Sequence, residues 1–415
     1  MLAKESKVKE IHDKVFESAN KAKEASKKYG VENVINATIG SLYDEKEKLV
    51  TFNKVVEVYK NICSEDIFGY GAGITGTEDY KEAVKRVVLG ENYSNVFNEN
   101  YLDVVATPGG TGAISNTMKN YLNRGEKVLL PNLMWDSYKL IAEEVGGSHQ
   151  TYNLFNEKGE FDIEDFKNQV FNLISVQESL VVIINDPCQN PTGYKLSIDE
   201  WKAILDVLKE ASEKKHVILI NDIAYIDFDE RDEKEKDEYR FLFKDLPKNL
   251  LTIFIFSMSK SFTSYGLRVG AQLALSSDEN VIKDFEKASK FSCRTLWSNV
   301  SRGGMKMFSE IVLNKDHYED LQKERNEYIS LIRERADIFL KEANDVKLET
   351  YNYKSGFFIT IPVKKNIKEV VKNLEANHIY TVVLDSSVRV ALCSINKGKV
   401  KGLAKKIKDC INKVN

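Results

Sequence analysis

Six apolar runs recur through the first two thirds of the chain: DVVATPGG from Asp103, KVLLPN from Lys127, SLVVIINDP from Ser179, HVILINDIAY from His216, LLTIFIFSM from Leu250 and AQLALSS from Ala271. They are continuous rather than alternating, which is the pattern of strands buried on both faces of a mainly parallel sheet. The segments between them carry helical spacing. In SIDEWKAILDVLKEASEKK (197–215), Ser197 stands ahead of Asp199 and Glu200 as a cap. This alternation predicts a doubly wound α/β domain over residues 48–320. A long charged helix follows at 318–344. The strands SGFFITIPV (355–363) and SVRVALCSI (387–395), with flanking helices, then predict a smaller α+β domain over 321–415. The N-terminus is an amphipathic helix with Val8, Ile11, Val15 and Ala19 on one face, and residues 1–47 are expected to form an arm and part of the small domain. The charge run DFDERDEKEKDEYR (227–240) reads as a solvated loop.

Composition narrows the function classes. The chain has 415 residues, with 60 basic against 63 acidic side chains, and it lacks the basic surplus a nucleic-acid partner demands. It has no apolar stretch of membrane length. The N-terminal helix lacks an apolar signal core, and its acidic residues are wrong for a transit peptide. The five cysteines are scattered and never in a CxxC pair, which suits free thiols in a reducing compartment. The five histidines form no HExxH, so a zinc site is not expected. A cytoplasmic protein is the expectation.

Ligands of open α/β sheets bind outside the carboxyl ends of the strands, and here several such ends carry polar residues. TPGGTGAISN (107–116) either makes a tight turn with a helix cap or presents backbone N–H groups of Gly109, Gly110, Thr111 and Gly112 to a phosphate. It is not a dinucleotide fingerprint, because Ser115 falls where the third glycine belongs, and no GK[ST] follows to make a P-loop. Asn190 lies in NDPCQNPTGY, and Asp222 and Tyr225 lie in INDIAY. A carboxylate at the end of an apolar strand needs a cation or N–H partner, either a core salt bridge or a protonated heterocycle nitrogen. In SMSKSFTSYGLRVG (257–270), Lys260 sits among Ser257, Ser259 and Arg268. A strand-end lysine beside an anion cradle is the arrangement Schiff-base chemistry uses.

Together these stretches resemble the class I and II aminotransferases of the pyridoxal-phosphate-dependent transferase fold, and among them the aspartate and aromatic aminotransferases. The resembling motifs occur in family order: GTGA at 110–113, NPTG at 190–193, D-x-A-Y at 222–225, and S-x-S-K with R-x-G at 257–270. The resemblance implies pyridoxal 5′-phosphate as cofactor, with Lys260 as its Schiff-base lysine and proton shuttle. It implies Asp222 on the ring nitrogen, Asn190 and Tyr225 on the phenolic oxygen, and Trp135 stacked on the ring. Gly110, Thr111, Ser257, Ser259 and Arg268 would hold the phosphate, joined by Tyr70 from the partner subunit of a homodimer. Gly40 would lie beside the substrate, although a plain turn glycine is equally consistent with the sequence. Arg389, in SVRVALCS, would bind the α-carboxylate.

CRTLWSNVS (293–301) is similar to the aspartate aminotransferase segment whose arginine crosses the dimer interface to grip the substrate's distal carboxylate. Arg294 is either that residue or a surface arginine. Thr295, Trp297 and Val300 depart from the family pattern, as do Tyr138 and Gly109. The implied activity is amino transfer between a dicarboxylic amino acid, such as aspartate, and a 2-oxo acid such as 2-oxoglutarate. An aromatic or broad-specificity aminotransferase, or a lyase or decarboxylase on the same site, remains open. A ligand-sensing regulator would need a basic DNA-binding extension, and a nicotinamide dehydrogenase would need GxGxxG.

Overall fold

The computed structural model describes residues 13–71 and 73–414. Val8, Ile11 and His12 therefore lie outside the described residues. Eleven strands are described: β1 (Ile35–Ala37), β2 (Tyr101–Thr107), β3 (Lys127–Pro131), β4 (Ser148–Tyr152), β5 (Ser179–Asn185), β6 (His216–Asp222), β7 (Leu250–Ser257), β8 (Gly270–Ser276), β9 (Phe358–Pro362), β10 (Ile379–Val383) and β11 (Ser387–Ala391). The chain divides into two compact units. One holds Thr51–Ser330 with Asn352–Gly356; the other holds the described residues up to Val50, Leu331–Tyr351 and the residues from Phe357 on.

The larger unit is built on a seven-stranded sheet in the order β2-β8-β7-β6-β5-β3-β4. All pairings from β4 to β7 are parallel, and β8 runs antiparallel to both its neighbours. Each of the six apolar runs forms one of these strands. Every residue of β7 and β8 is buried, as a two-sided strand requires. β4 (SHQTY) escapes any apolar reading. It is a half-exposed edge strand that pairs only with β3, so it needs little hydrophobic content. Val105, Leu130, Ile183, Ile220 and Ile253 carry the core on one sheet face, covered by Ala113, Ile114 and Met118 of the helix Gly109–Tyr121 and Phe285 of the helix Glu279–Leu296. The helix Ile198–Ser212 begins with a complete capping box of Ser197 and Glu200.

The charge run at 227–240 is not the solvated loop its composition suggests. Asp232 caps a helix over Glu233–Phe241, again with a capping box. Arg231 is buried, pairing with Asp186 at 3.3 Å and Asp229 at 3.2 Å and donating to the Leu196 carbonyl at 2.8 Å. Asp186 also accepts from the Trp201 indole at 2.9 Å. A lone buried charge is prohibitive, but one guanidinium between two carboxylates is tolerated. The cluster straps down the loop that carries Asn190.

The smaller unit holds a four-stranded sheet in the order β1-β10-β11-β9, parallel between β1 and β10 and antiparallel elsewhere. The helix Lys14–Tyr29 buries Ala22 and Ala25 against Val34 and Tyr380. Val15 and Ala19 are only half-buried. Arg335, fully buried, bonds the carbonyls of Tyr43, Leu392 and Cys393 and the Glu45 carboxylate.

Candidate active site

The register of the large sheet gathers the polar strand ends onto one edge. Asn185 lies opposite Asp222, Asp222 opposite Ile255, and Gly270 lies between Thr107 and Ser257. Neighbouring strands are about 4.8 Å apart, so the residues following β2, β5, β6 and β7 come within a few strand widths of one another. Lys260, Asp222, Tyr225, Asn190 and the Gly109–Thr111 turn share this edge. The brackets that hold them are local. Asn185 donates to the Asp222 carbonyl at 2.8 Å and accepts from the Asn190 N–H at 2.8 Å. Gln189 donates to the Leu133 carbonyl at 2.7 Å, which fixes the turn bearing Trp135.

An anion cradle forms where the helix Gly109–Tyr121 starts. The Arg268 guanidinium donates to the Ser259 hydroxyl at 3.0 Å and the Tyr265 carbonyl at 2.9 Å, and the Ser259 N–H donates to the Ser257 hydroxyl at 3.3 Å. The helix N-terminus faces them: a β-carbon on Gly110 would stand 3.4 Å from Ser257 Cβ, and one on Gly109 only 2.4 Å from Arg268 Nη2. Free N–H groups, the positive end of a helix dipole, two hydroxyls and a guanidinium in contact make a site for a doubly charged phosphate. The residues present fit such a group.

Asp222 is the electrostatic focus. Its carboxylate is 5% exposed and accepts from the Tyr138 hydroxyl at 2.5 Å and the Ala224 N–H at 3.1 Å. Among the described residues it has no ion-pair partner. Burial pushes its pKa from the ordinary 3.8 up to about 6, against the pull of those two hydrogen bonds. Among the described residues no core salt bridge accounts for it. A carboxylate so placed is suited to a cation that arrives with a ligand.

Lys260 lies in the short helix Met258–Ser261, half-buried, with its ammonium 4.9 Å from the centre of the Tyr265 ring and 5.9 Å from that of Tyr225. Arg325, on the helix Lys315–Asp345, braces this turn. Two of its N–H groups reach the Ser261 carbonyl at 3.2 and 2.9 Å, and a third meets Asp227 at 2.7 Å. Sequence reasoning missed Arg325, Asn185 and the part Tyr138 takes. The one available signal was the spacing of Tyr138 three residues after Trp135.

The remaining residues lie elsewhere. Tyr70 is 89% exposed, and its loop is held by Arg302, which donates to the Tyr70 carbonyl at 3.2 Å, and by Asn299, which donates to the Gly71 carbonyl at 3.2 Å. These brackets put Tyr70 on the same surface as Arg294, which is exposed in the last turn of the helix Glu279–Leu296 and donates to the Ser298 hydroxyl. In the smaller unit, Arg389 is buried on β11, stacked 4.2 Å over the centre of the Phe358 ring, with a donor on the Thr38 carbonyl at 2.8 Å. That contact sets Arg389 beside the segment leading to Gly40.

The model of the family described as aminotransferase class I and II matches residues 32–407. The chain belongs to this family, and transfer of an amino group is the reaction class that membership carries. It is similar to the aromatic-amino-acid aminotransferase of Paracoccus denitrificans, 26% identical over 64% of this chain and 66% of that protein. It thus spans about two thirds of that relative. It is also similar to the mitochondrial aspartate aminotransferase of Dictyostelium discoideum, 24% identical over 89% of this chain and 85% of that protein. Among solved structures, an aminotransferase from Anaerococcus prevotii is 33% identical with a TM-score of 0.93, covering 99% of each chain. The aromatic-amino-acid aminotransferase of Burkholderia pseudomallei, covalently bound to pyridoxal phosphate, shares the fold with a TM-score of 0.82 at 20% identity, over 99% of this chain and 100% of that one.

Proposed function

We propose that this chain is a pyridoxal-phosphate-dependent aminotransferase that moves the amino group of a dicarboxylic amino acid, such as aspartate, to a 2-oxo acid such as 2-oxoglutarate. The observation that carries the reading is Asp222, a buried carboxylate without a cation among the described residues, on the sheet edge that also bears Lys260 and the anion cradle. The cofactor, when bound, supplies an electron sink for the bond broken at the substrate's α-carbon. The N–H groups of Gly110 and Thr111, the hydroxyls of Ser257 and Ser259, and Arg268 would hold its phosphate. Asp222 would keep a proton on the ring nitrogen. Asn190 and Tyr225 would donate to the phenolic oxygen, and Trp135 would cover the ring. Lys260 would anchor the cofactor through its amine and would move the proton to and from the substrate's α-carbon.

Arg389 grips the α-carboxylate beside Gly40 with its planar fork. The active form is a homodimer, with Tyr70 and Arg294 of one copy completing the site of the other. Their shared exposed surface, together with the exposed apolar Phe68, Phe291 and Leu296, supports this assembly. The five unbridged cysteines support a cytoplasmic setting. An aromatic or broad-specificity enzyme is favoured instead by the bond that ties Arg294 to Ser298 of its own chain, and a lyase or decarboxylase is set apart by needing no 2-oxo acid. Borohydride reduction of the cofactor-loaded protein, followed by peptide mapping, should place the pyridoxyl group on Lys260. A label on another lysine would overturn the assignment.

A further inference from the structure

We propose that Asn116, Asn120 and Ser292 are positioning residues for Arg294, and so set how well the enzyme accepts a substrate with a second carboxylate. The inference rests on the dicarboxylate reading above, in which Arg294 completes the site of the partner copy.

The observation that carries it is a head-to-tail chain of hydrogen bonds through the core. The Ser292 hydroxyl donates to Asn120 Oδ1 at 2.7 Å, and the Asn120 amide donates to Asn116 Oδ1 at 3.4 Å. Asn116 Nδ2 donates to Gln272 Oε1 at 2.8 Å, Gln272 Nε2 to the Thr117 hydroxyl at 2.6 Å, and that hydroxyl to the Ala113 carbonyl at 2.9 Å. Every bond points the same way along the chain, and hydrogen bonds so aligned polarise one another. The chain starts on the helix Glu279–Leu296, two residues before Arg294. It ends on the helix Gly109–Tyr121, two residues after Thr111 of the anion cradle.

Asn116, Thr117 and Gln272 are fully buried, on the same two elements that give Ala113, Ile114, Met118 and Ala274 to the core. Apolar side chains of similar shape would fill this layer at little cost, since replacing both partners of a buried hydrogen bond is nearly neutral. What they would not do is fix one register between the two helices. Apolar contact has no direction, whereas each amide here has a matched donor and acceptor.

A second contact carries that register to the arginine. Asn116 Nδ2 also lies 3.8 Å from Cys293 Sγ, and the Cys293 carbonyl accepts the N–H groups of Trp297 at 3.1 Å and Ser298 at 2.9 Å. The Ser298 hydroxyl in turn accepts from Arg294. The turn that ends the helix, and the guanidinium with it, is thus tied to the helix of the cradle.

Asn120→Leu combined with Ser292→Ala removes donor and acceptor of one link together, which spares most of the stability. The expected result is a KM for aspartate raised about fivefold, with kcat/KM for phenylalanine within about twofold of wild type. In an Arg294→Ala background the same pair should leave the aspartate-to-phenylalanine ratio unchanged, because the group it positions is gone. Ser292→Thr keeps the hydroxyl and should hold the wild-type ratio. Ser292→Ala alone, a milder change, should raise the KM for aspartate about twofold and gives the reading where the double variant does not fold. Equal losses for the two donors, or an unchanged KM for aspartate, would make the chain a packing device and overturn the proposal alone. A ratio that Arg294→Ala itself leaves unchanged would bring down the dicarboxylate reading together with it.

Discussion

The guanidinium of Arg268 occupies the space that a side chain on Gly109 would need: an ideal β-carbon there would lie 2.4 Å from Arg268 Nη2, and Gly109 has a φ of +72°. Both facts call for glycine, one by space and one by backbone conformation. Contact between the helix N-terminus and the guanidinium is what makes the two a single anion cradle.

Gly109→Ala should therefore loosen cofactor binding more than it harms chemistry. Left-handed strain and a displaced guanidinium together cost about 1–2 kcal/mol, or roughly a tenfold rise in the dissociation constant for pyridoxal phosphate. Turnover at saturating cofactor should fall much less. Fluorescence titration of the cofactor-free protein reads the first and steady-state assay the second; an unchanged dissociation constant would remove Gly109 from the cradle.

Asp222 trades stability for function in the cofactor-free protein. Its folded pKa is raised from 3.8 to about 6, so the native state binds the proton more tightly than the unfolded chain. Stability is then lost as pH climbs from near 4 to near 6, and it stays lower above that. Asp222→Asn escapes this loss. It should unfold at a higher temperature than wild type at pH 7, with a stability gain of about 3 kcal/mol that vanishes below about pH 4. Amino transfer by the same variant should collapse, because an amide cannot hold the ring-nitrogen proton by charge. A melting difference independent of pH would contradict the account.

Arg325 bridges the turn after Lys260 and the loop after Tyr225, through Ser261 and Asp227. Removing it leaves a largely buried carboxylate and a carbonyl without their donors, at a cost of about 3 kcal/mol. Arg325→Ala should lower the thermal midpoint and reduce kcat by about tenfold as Lys260 loses its support. Arg325→Lys should restore little, since one ammonium cannot span both acceptors. Full activity in the Ala variant would show that the Lys260 turn holds itself.

The two arginines separate the parts of the substrate. A charged, desolvated hydrogen-bonded pair is worth about 3 kcal/mol, or about a hundredfold in rate. Arg389→Ala should depress turnover of every amino donor by that order. Arg294→Ala should depress aspartate alike but spare phenylalanine. An unchanged aspartate-to-phenylalanine ratio in the Arg294 variant would move the enzyme to the aromatic or broad-specificity branch.

The parts of this protein legible in its sequence are those set by local pattern. Continuous β-branched runs announced the buried strands, Ser197 and Glu200 announced a helix start, and Asp222 and Lys260 could be placed at strand ends because an apolar run stops there. The residues that were missed depend on partners that only the folded chain supplies. Tyr138 meets a carboxylate 84 positions away, and Arg325 reaches Asp227 and Ser261 across 98 and 64 positions. Arg231 looked solvated in its acidic run until the loop after β5 brought Asp186 to it. β4 went unseen for a related reason: backbone pairing with β3, rather than an isolated apolar signal, makes it a strand. Periodicity and capping are properties of a few consecutive residues, so the sequence alone determined the elements and the ends where chemistry could sit. The choice of hydrogen-bond and ion-pair partners minimises the cost of burying polar groups over the whole core, and that minimum exists only once the tertiary structure has brought distant segments together.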